Sequence, residues 1–214
     1  MPALVQRTAQ LLTFPGQDAS RRSALTEALK RHRLPEQLIE AFLREAAAIE
    51  PCGIDEALTR VLAARMRRTP LDLSRSERIF LIGPSGAGRS TVAAKLVHAA
   101  VQAGHNQLMV IDTQGFNPRN LRARAAFGCI SERPHMQTIG VVSALADAED
   151  ISDTIAHFHL DRLIVTGLDM ARRYGALTAA VTQGARLAHV SRSPDPAAPL
   201  ETLSPRELAN LLLN

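Results

Sequence analysis

Between Ile79 and Thr91 a short apolar run breaks at a glycine-rich turn and continues as an alanine-rich helix through Val92 to Val101. A strand, a tight glycine turn and a helix in that order are the context a phosphate loop needs. In G-x-x-x-x-G-K-[ST] the glycines let backbone N–H groups curl around phosphate oxygens, the helix N-terminus adds its positive end, and the final hydroxyl binds magnesium. Gly83, Gly88 and Ser90 fall in register, so Gly83, Pro84, Ser85, Gly86, Ala87, Gly88, Arg89, Ser90 and Thr91 are the expected phosphate-holding residues. Arg89 stands at the lysine position, keeping the charge but not the compact ammonium. The alternative is an ordinary glycine-rich turn that binds nothing.

Downstream of Arg78, aliphatic runs alternate with helical patterns. The expected strands are 79–82, 108–111, 138–143, 162–166 and 187–190; the expected helices are 90–103, 118–127, 149–158, 176–183 and 205–213. Continuous apolar strands joined by helical crossovers imply a parallel sheet covered on both faces, with ligands bound beyond the carboxyl ends of its strands. Residues before about 70 read as short amphipathic helices: one around Leu4–Leu12 ended by Phe14-Pro15-Gly16, one capped by Asp18 or Ser20 and running to Lys30, one opened by Pro35, and one started by Asp55. The expected architecture is therefore an α/β P-loop NTPase core with a mostly parallel sheet, residues 73–214, preceded by a small helical bundle, residues 1–72.

Composition narrows the function classes. Hydrophobic residues make up 46% of the 214, enough for a core, while aromatics are only 3%, which argues against stacking platforms for single-stranded nucleic acid. The net charge is +4, but 25 basic residues face 21 acidic ones. The clusters at Lys30–Arg33, Arg65–Arg68 and Arg119-Arg122-Arg124 read as solvated helix faces or ends rather than docking patches, and no DNA partner is expected. Cys52 and Cys129 lack metal-ligand spacing and fit a reducing compartment. No signal peptide and no apolar stretch of bilayer length is visible, so the expectation is a cytoplasmic protein whose membrane contact, if any, is peripheral at the inner face. The scattered histidines, His157 and His159 included, form no ligand set, and Ser85 and Ser90 have no His-Asp pattern for nucleophilic catalysis.

Two further motifs lie at expected strand ends. Asp112-Thr113-Gln114-Gly115 fits D-x-x-G: the carboxylate can hold magnesium, with Ser90, and the Gly115 N–H can approach a γ-phosphate without a Cβ in the way. Thr166-Gly167-Leu168-Asp169 sits where T/N-K-x-D motifs select guanine, Asp169 accepting from N1 and N2; Asp169 as N-cap of the following helix is an equal alternative.

Together, the helical bundle, I-G-P-S-G-A-G-R-S-T-V-A-A-K-L, I-D-T-Q-G and L-I-V-T-G-L-D-M-A-R-R-Y-G-A-L resemble the NG domain of signal-recognition-particle GTPases, most of all their flagellar-biosynthesis branch. Lys95-Leu96 and Gly175 fall where that pattern has them. Ile139–Ala144 with Ala148-Glu149-Asp150, and Ser191–Leu208, resemble further family segments, so the likeness spans about residues 76–210. It implies GTP and Mg2+ as ligands, with Ser90 and Asp112 on the metal, Gly115 at the γ-phosphate, and Thr166 and Asp169 at the guanine. It also implies a role in protein targeting or flagellar assembly, with a second copy or a related NG domain as partner. The departures are specific. The family carries a D-T-[FY]-R motif well before D-T-A-G-R, but one D-T occurs here; we assign Asp112 to the second motif, which implies a lost strand-helix segment. Arg89 and Gly167 replace two lysines and the arginine of the first motif is absent, so hydrolysis is expected to be weak or lost. The rival readings are a non-catalytic scaffold that keeps the fold, a P-loop ATPase or kinase, and, more distantly, a binding module for RNA or anionic membrane.

Overall fold

The computed structural model describes residues 15–49, 52–74, 78–105, 107–117, 119, 120, 122, 125 and 136–214. The helix expected around Leu4–Leu12, most of the one expected over 118–127, and Cys129 lie outside them.

The first helix among the described residues is α1 (Pro15–Arg31). Sequence reading made Pro15-Gly16 a terminator and Asp18 or Ser20 a cap; the helix instead starts at Pro15. A proline lacks only an N–H that the first turn leaves unpaired anyway, so it opens a helix as readily as it stops one. α2 (Glu36–Ala47) follows Pro35 and buries Ile39, Phe42 and Leu43 on one stripe. α3 (Ile54–Arg65) places Asp55 and Glu56 in its first turn, opposite the helix dipole, and buries Ala57, Leu58, Val61 and Leu62. Arg65 ties α3 to α2: its Nε donates to Glu45 Oε2 at 2.9 Å, and its guanidinium lies 5.4 Å from the Phe42 ring centroid. These hydrogen bonds hold the Glu45 carboxyl below its ordinary value. Both partners are partly exposed, so the pair contributes on the order of 1 kcal/mol or less.

β1 (Arg78–Ile82), β2 (Met109–Asp112), β3 (Met136–Ser143), β4 (Arg162–Thr166) and β5 (Arg186–Val190) form a five-stranded sheet in the order β2-β1-β3-β4-β5, every pairing parallel. Residues 79–82 of β1 are buried on both faces. Ile79 and Leu81 pack with Val92, Leu96, Ile139 and Val141 on one side of the sheet. Phe80 and Ile82 join a larger cluster on the other that reaches Leu29, Phe42, Leu58 and Leu62 of the bundle. The crossovers are α4 (Arg89–Gln102), α5 (Ala148–His157) and α6 (Gly175–Thr182). From β1 the chain crosses to β2 on one side, and β3 lies on the other, which puts the switch point of the sheet at the end of β1.

The last helix, α7 (Pro205–Leu213), packs on α1 and α3 rather than on the sheet. Its start is a reciprocal cap: Glu207 N–H donates to Ser204 Oγ at 3.1 Å and Ser204 N–H to Glu207 Oε2 at 2.7 Å. The link between bundle and sheet is itself an edge ribbon, with Leu187 N–H on Arg67 O at 2.8 Å and Thr69 N–H on Leu187 O at 2.9 Å. Gly175 marks a close approach of the two parts. A Cβ there would lie 2.4 Å from His32 O, and the Gly175 N–H donates to that oxygen at 3.0 Å.

Candidate functional site at the phosphate loop

β1 ends against its neighbour so tightly that a Cβ on Gly83 would lie 2.1 Å from Val141 O. The turn then needs φ +78° at Gly86 and +83° at Gly88, the left-handed region that glycine adopts without penalty. α4 starts immediately at Arg89 and has no side-chain cap, so the N–H groups of its first turn face the loop. Thr166, at the end of β4, is buried and its hydroxyl donates to Ala87 O at 2.7 Å. Sequence reading placed Thr166 among the nucleotide contacts; its hydroxyl proton is directed into the loop, which it holds in shape.

Asp112 ends β2 beside β1, and Ser90 Oγ donates to its Oδ2 at 2.5 Å. A hydroxyl and a carboxylate one hydrogen bond apart at the mouth of the loop are the hard oxygen donors that magnesium takes, its remaining positions being filled by water and phosphate. Among the described residues no cluster of three or more His, Cys, Asp or Glu offers a different metal site.

The residues after Asp112 lie across the loop. Arg89 Nη1 donates to Thr113 Oγ1 at 2.9 Å and Gln114 O at 2.6 Å, and also to Thr113 O. Thr113 Oγ1 in turn donates to Leu81 O at 3.0 Å, and Phe116 N–H donates to Gly83 O at 3.1 Å. Gly115 rests on Ser85: a Cβ there would come within 2.0 Å of Ser85 Oγ and 2.8 Å of Ser85 N. Phe116 is buried and meets Phe158 edge to face, the ring centroids 6.1 Å apart. These contacts went unforeseen, because a motif shows which residues are available and not which distant backbone one of them reaches.

Asp169 stands exposed in the turn after β4, where Gly167 has φ +73°. The alternative that it caps the next helix is corrected here: α6 starts at Gly175 with Tyr174 at its N-cap. The Met170 and Ala171 N–H groups both donate to Gly167 O, and Leu168 N–H donates to Ser191 O at 3.2 Å. The turn is thus bound to the loop that follows β5. That loop is held from below by Lys95 of α4, which is 2% exposed and donates to Asp195 O at 2.6 Å and Ala198 O at 2.7 Å. The sequence signal for this role was a lysine at i+3 from Val92 and beside Leu96 on the buried stripe of α4. The phosphate loop, Asp112, Gly115 and Asp169 consequently share the carboxyl edge of one sheet.

No protein-family model and no curated protein sequence matches the chain. Solved structures do. FlhF complexed with GTP and Mg2+ is similar with a TM-score of 0.74 at 16% identity, covering 91% of this chain and 99% of the other. FtsY, the cell division protein of Thermotoga maritima, gives 0.70 at 17% identity, covering 90% and 88%. The 54 kDa signal recognition particle protein of Aeropyrum pernix K1, in complex with GDP, gives 0.65 at 18% identity, covering 88% and 62%. At such identities the likeness establishes the fold: this chain has the NG fold of signal-recognition-particle GTPases, with a P-loop NTPase α/β core.

Proposed function

We propose, with that NG fold as premise, that the chain binds a guanine nucleotide with Mg2+ and works as a weakly hydrolysing or non-hydrolysing member of a protein-targeting or flagellar-assembly system. The observation that carries the reading is the Ser90–Asp112 hydrogen bond at the mouth of the phosphate loop, a hydroxyl-carboxylate pair suited to magnesium beside backbone amides suited to phosphate. Bound there, magnesium would neutralise phosphate charge. The chain's own groups supply the rest: amides of 83–91 orient the phosphates, the Gly115 N–H would meet the terminal phosphate once its segment has shifted off Ser85, and Asp169 accepts from guanine. Gly115 lies on Ser85, which supports reading Asp112–Gly115 as the second of the family's two D-T motifs. The partner expected is a second NG domain, its own copy or a relative. Among the described residues no helix is long and apolar enough to cross a membrane, so we propose peripheral contact at most.

Turnover is a different matter. Phosphoryl transfer depends on positioned charge. Gly167 has no side chain to offer, and Arg89 already contacts Thr113 and Gln114. The same facts favour the second reading, a scaffold that keeps the fold without the nucleotide.

Calorimetric titration with GTP, and separately ATP, in Mg2+ decides among these. The expected result is micromolar GTP binding that Asp169→Ala weakens at least tenfold, about 1.4 kcal/mol. Tighter binding of ATP would favour an ATPase or kinase, and no binding of either would leave the scaffold.

A further inference from the structure

We propose that Arg89 is a latch: it holds residues 113–116 over the phosphate loop, and a nucleoside triphosphate opens the site by drawing the guanidinium onto its phosphates. The inference rests on the guanine-nucleotide reading and adds its regulation.

The contacts form one device. The guanidinium fork is not engaged as it would be by an anion, because all three contacts of Arg89 are made by Nη1, to Thr113 O, Thr113 Oγ1 and Gln114 O. Its Nε, by contrast, is buried with no partner among the described residues. The segment therefore satisfies part of the guanidinium, and a phosphate, which takes two parallel N–H donors, satisfies it better. Gly115 lies on the backbone of Ser85, so the segment covers the Ser85 amide, one of those a phosphate would need. Two more bonds, Thr113 Oγ1 to Leu81 O and Phe116 N–H to Gly83 O, tie it to the end of β1 and the start of the loop. A lysine could offer the charge but would not bring the planar fork to a phosphate, which gives the replacement at this position a role in the release step. Release would carry Phe116 away from Phe158, so the nucleotide state would be displayed as apolar surface at this edge of the sheet.

The test is amide hydrogen exchange of residues 113–117 in the full chain, with calorimetry on the same samples. Saturating GTP with Mg2+ is expected to speed exchange at Phe116 about tenfold or more, and Arg89→Leu is expected to do so without nucleotide, a magnitude set by the loss of charged hydrogen bonds. Thr113→Val, which keeps the shape and drops the hydroxyl, should repeat the effect in smaller measure and decides the matter if Arg89→Leu does not fold. GTP that binds while exchange at Phe116 stays the same or slows overturns the latch and leaves guanine-nucleotide binding standing. If GTP does not bind at all, the binding reading and the release step fail together. Exchange in the variants then judges the hold itself: unchanged in both, it overturns the hold; faster, it upholds it.

Discussion

Lys95 shows how one side chain can serve a site that it does not enter. Its ammonium is buried beneath the loop after β5 and donates to two carbonyls of that loop. Ser191 of the same loop accepts from the Leu168 N–H, next to Asp169. Lys95→Met keeps the apolar stem and removes the donors, leaving Asp195 O and Ala198 O to find water. We expect a loss of about 1–3 kcal/mol in urea unfolding, together with faster proteolytic cleavage within 192–199; unchanged cleavage would mean that Lys95 does not hold the loop. Arg89 obeys the same logic with a different outcome. Two of its partners, Thr113 O and Gln114 O, are also backbone oxygens, but they belong to the segment that covers the phosphates' place.

Among the elements, the junction of α1 with α6 is a close one. His32 O accepts from Gly175 N–H, His32 Nδ1 accepts from Tyr174 N–H at 3.3 Å, and the His32 and Tyr174 rings meet tilted by 37° with centroids 5.3 Å apart. Gly175→Ala would push a methyl into the carbonyls of His32 and Arg33. Overpacking of that kind destabilises by about 1–3 kcal/mol, to be read from the midpoint of chemical denaturation, and a neutral result would mean that the bundle shifts freely on the core. Most strands were legible in sequence to within two residues, because a parallel strand buried on both faces is a continuous apolar run. α7 was legible as well, since Ser204, Pro205 and Glu207 announce its start. The start of α1 was not, because Pro15-Gly16 suits either end of a helix. Gly83, Gly88 and Ser90 could be read together because a strand–turn–helix loop fixes their spacing, whereas Asp112 was read from its place at a strand end. The contacts of Arg89 with 113–114, of Lys95 with 195–198 and of Thr166 with Ala87 were not, since each joins segments that only the finished sheet brings together.

For the molecule as a whole, two histidines, His32 buried and His189 partly buried, contribute to the response to pH. Burial holds both His32 and His189 below the ordinary imidazole value. His189 Nε2 accepts from Leu71 N–H at 3.1 Å, which requires that nitrogen to be unprotonated. The unfolded chain therefore binds more protons just below the ordinary histidine value near 6.5 than the folded one does. Stability is full above about pH 6.5 and falls as pH drops from there toward the folded values. Urea midpoints measured at pH 7.5 and 5.5 should show this loss, and His32→Asn with His189→Asn should flatten it; an unaltered slope in the double variant would place the dependence elsewhere. Glu45 and Glu207, both held low by hydrogen bonds, add a separate loss at more acid pH. The packing of α7 on α3 has a consequence during synthesis. A ribosome releases α1 to α3 first, while Leu208 and Leu212 of their shared core come only after the whole sheet has been made. Until α7 has emerged Leu58, Val61 and Leu62 lack that cover, so the nascent bundle is expected to expose apolar surface of the kind chaperones hold.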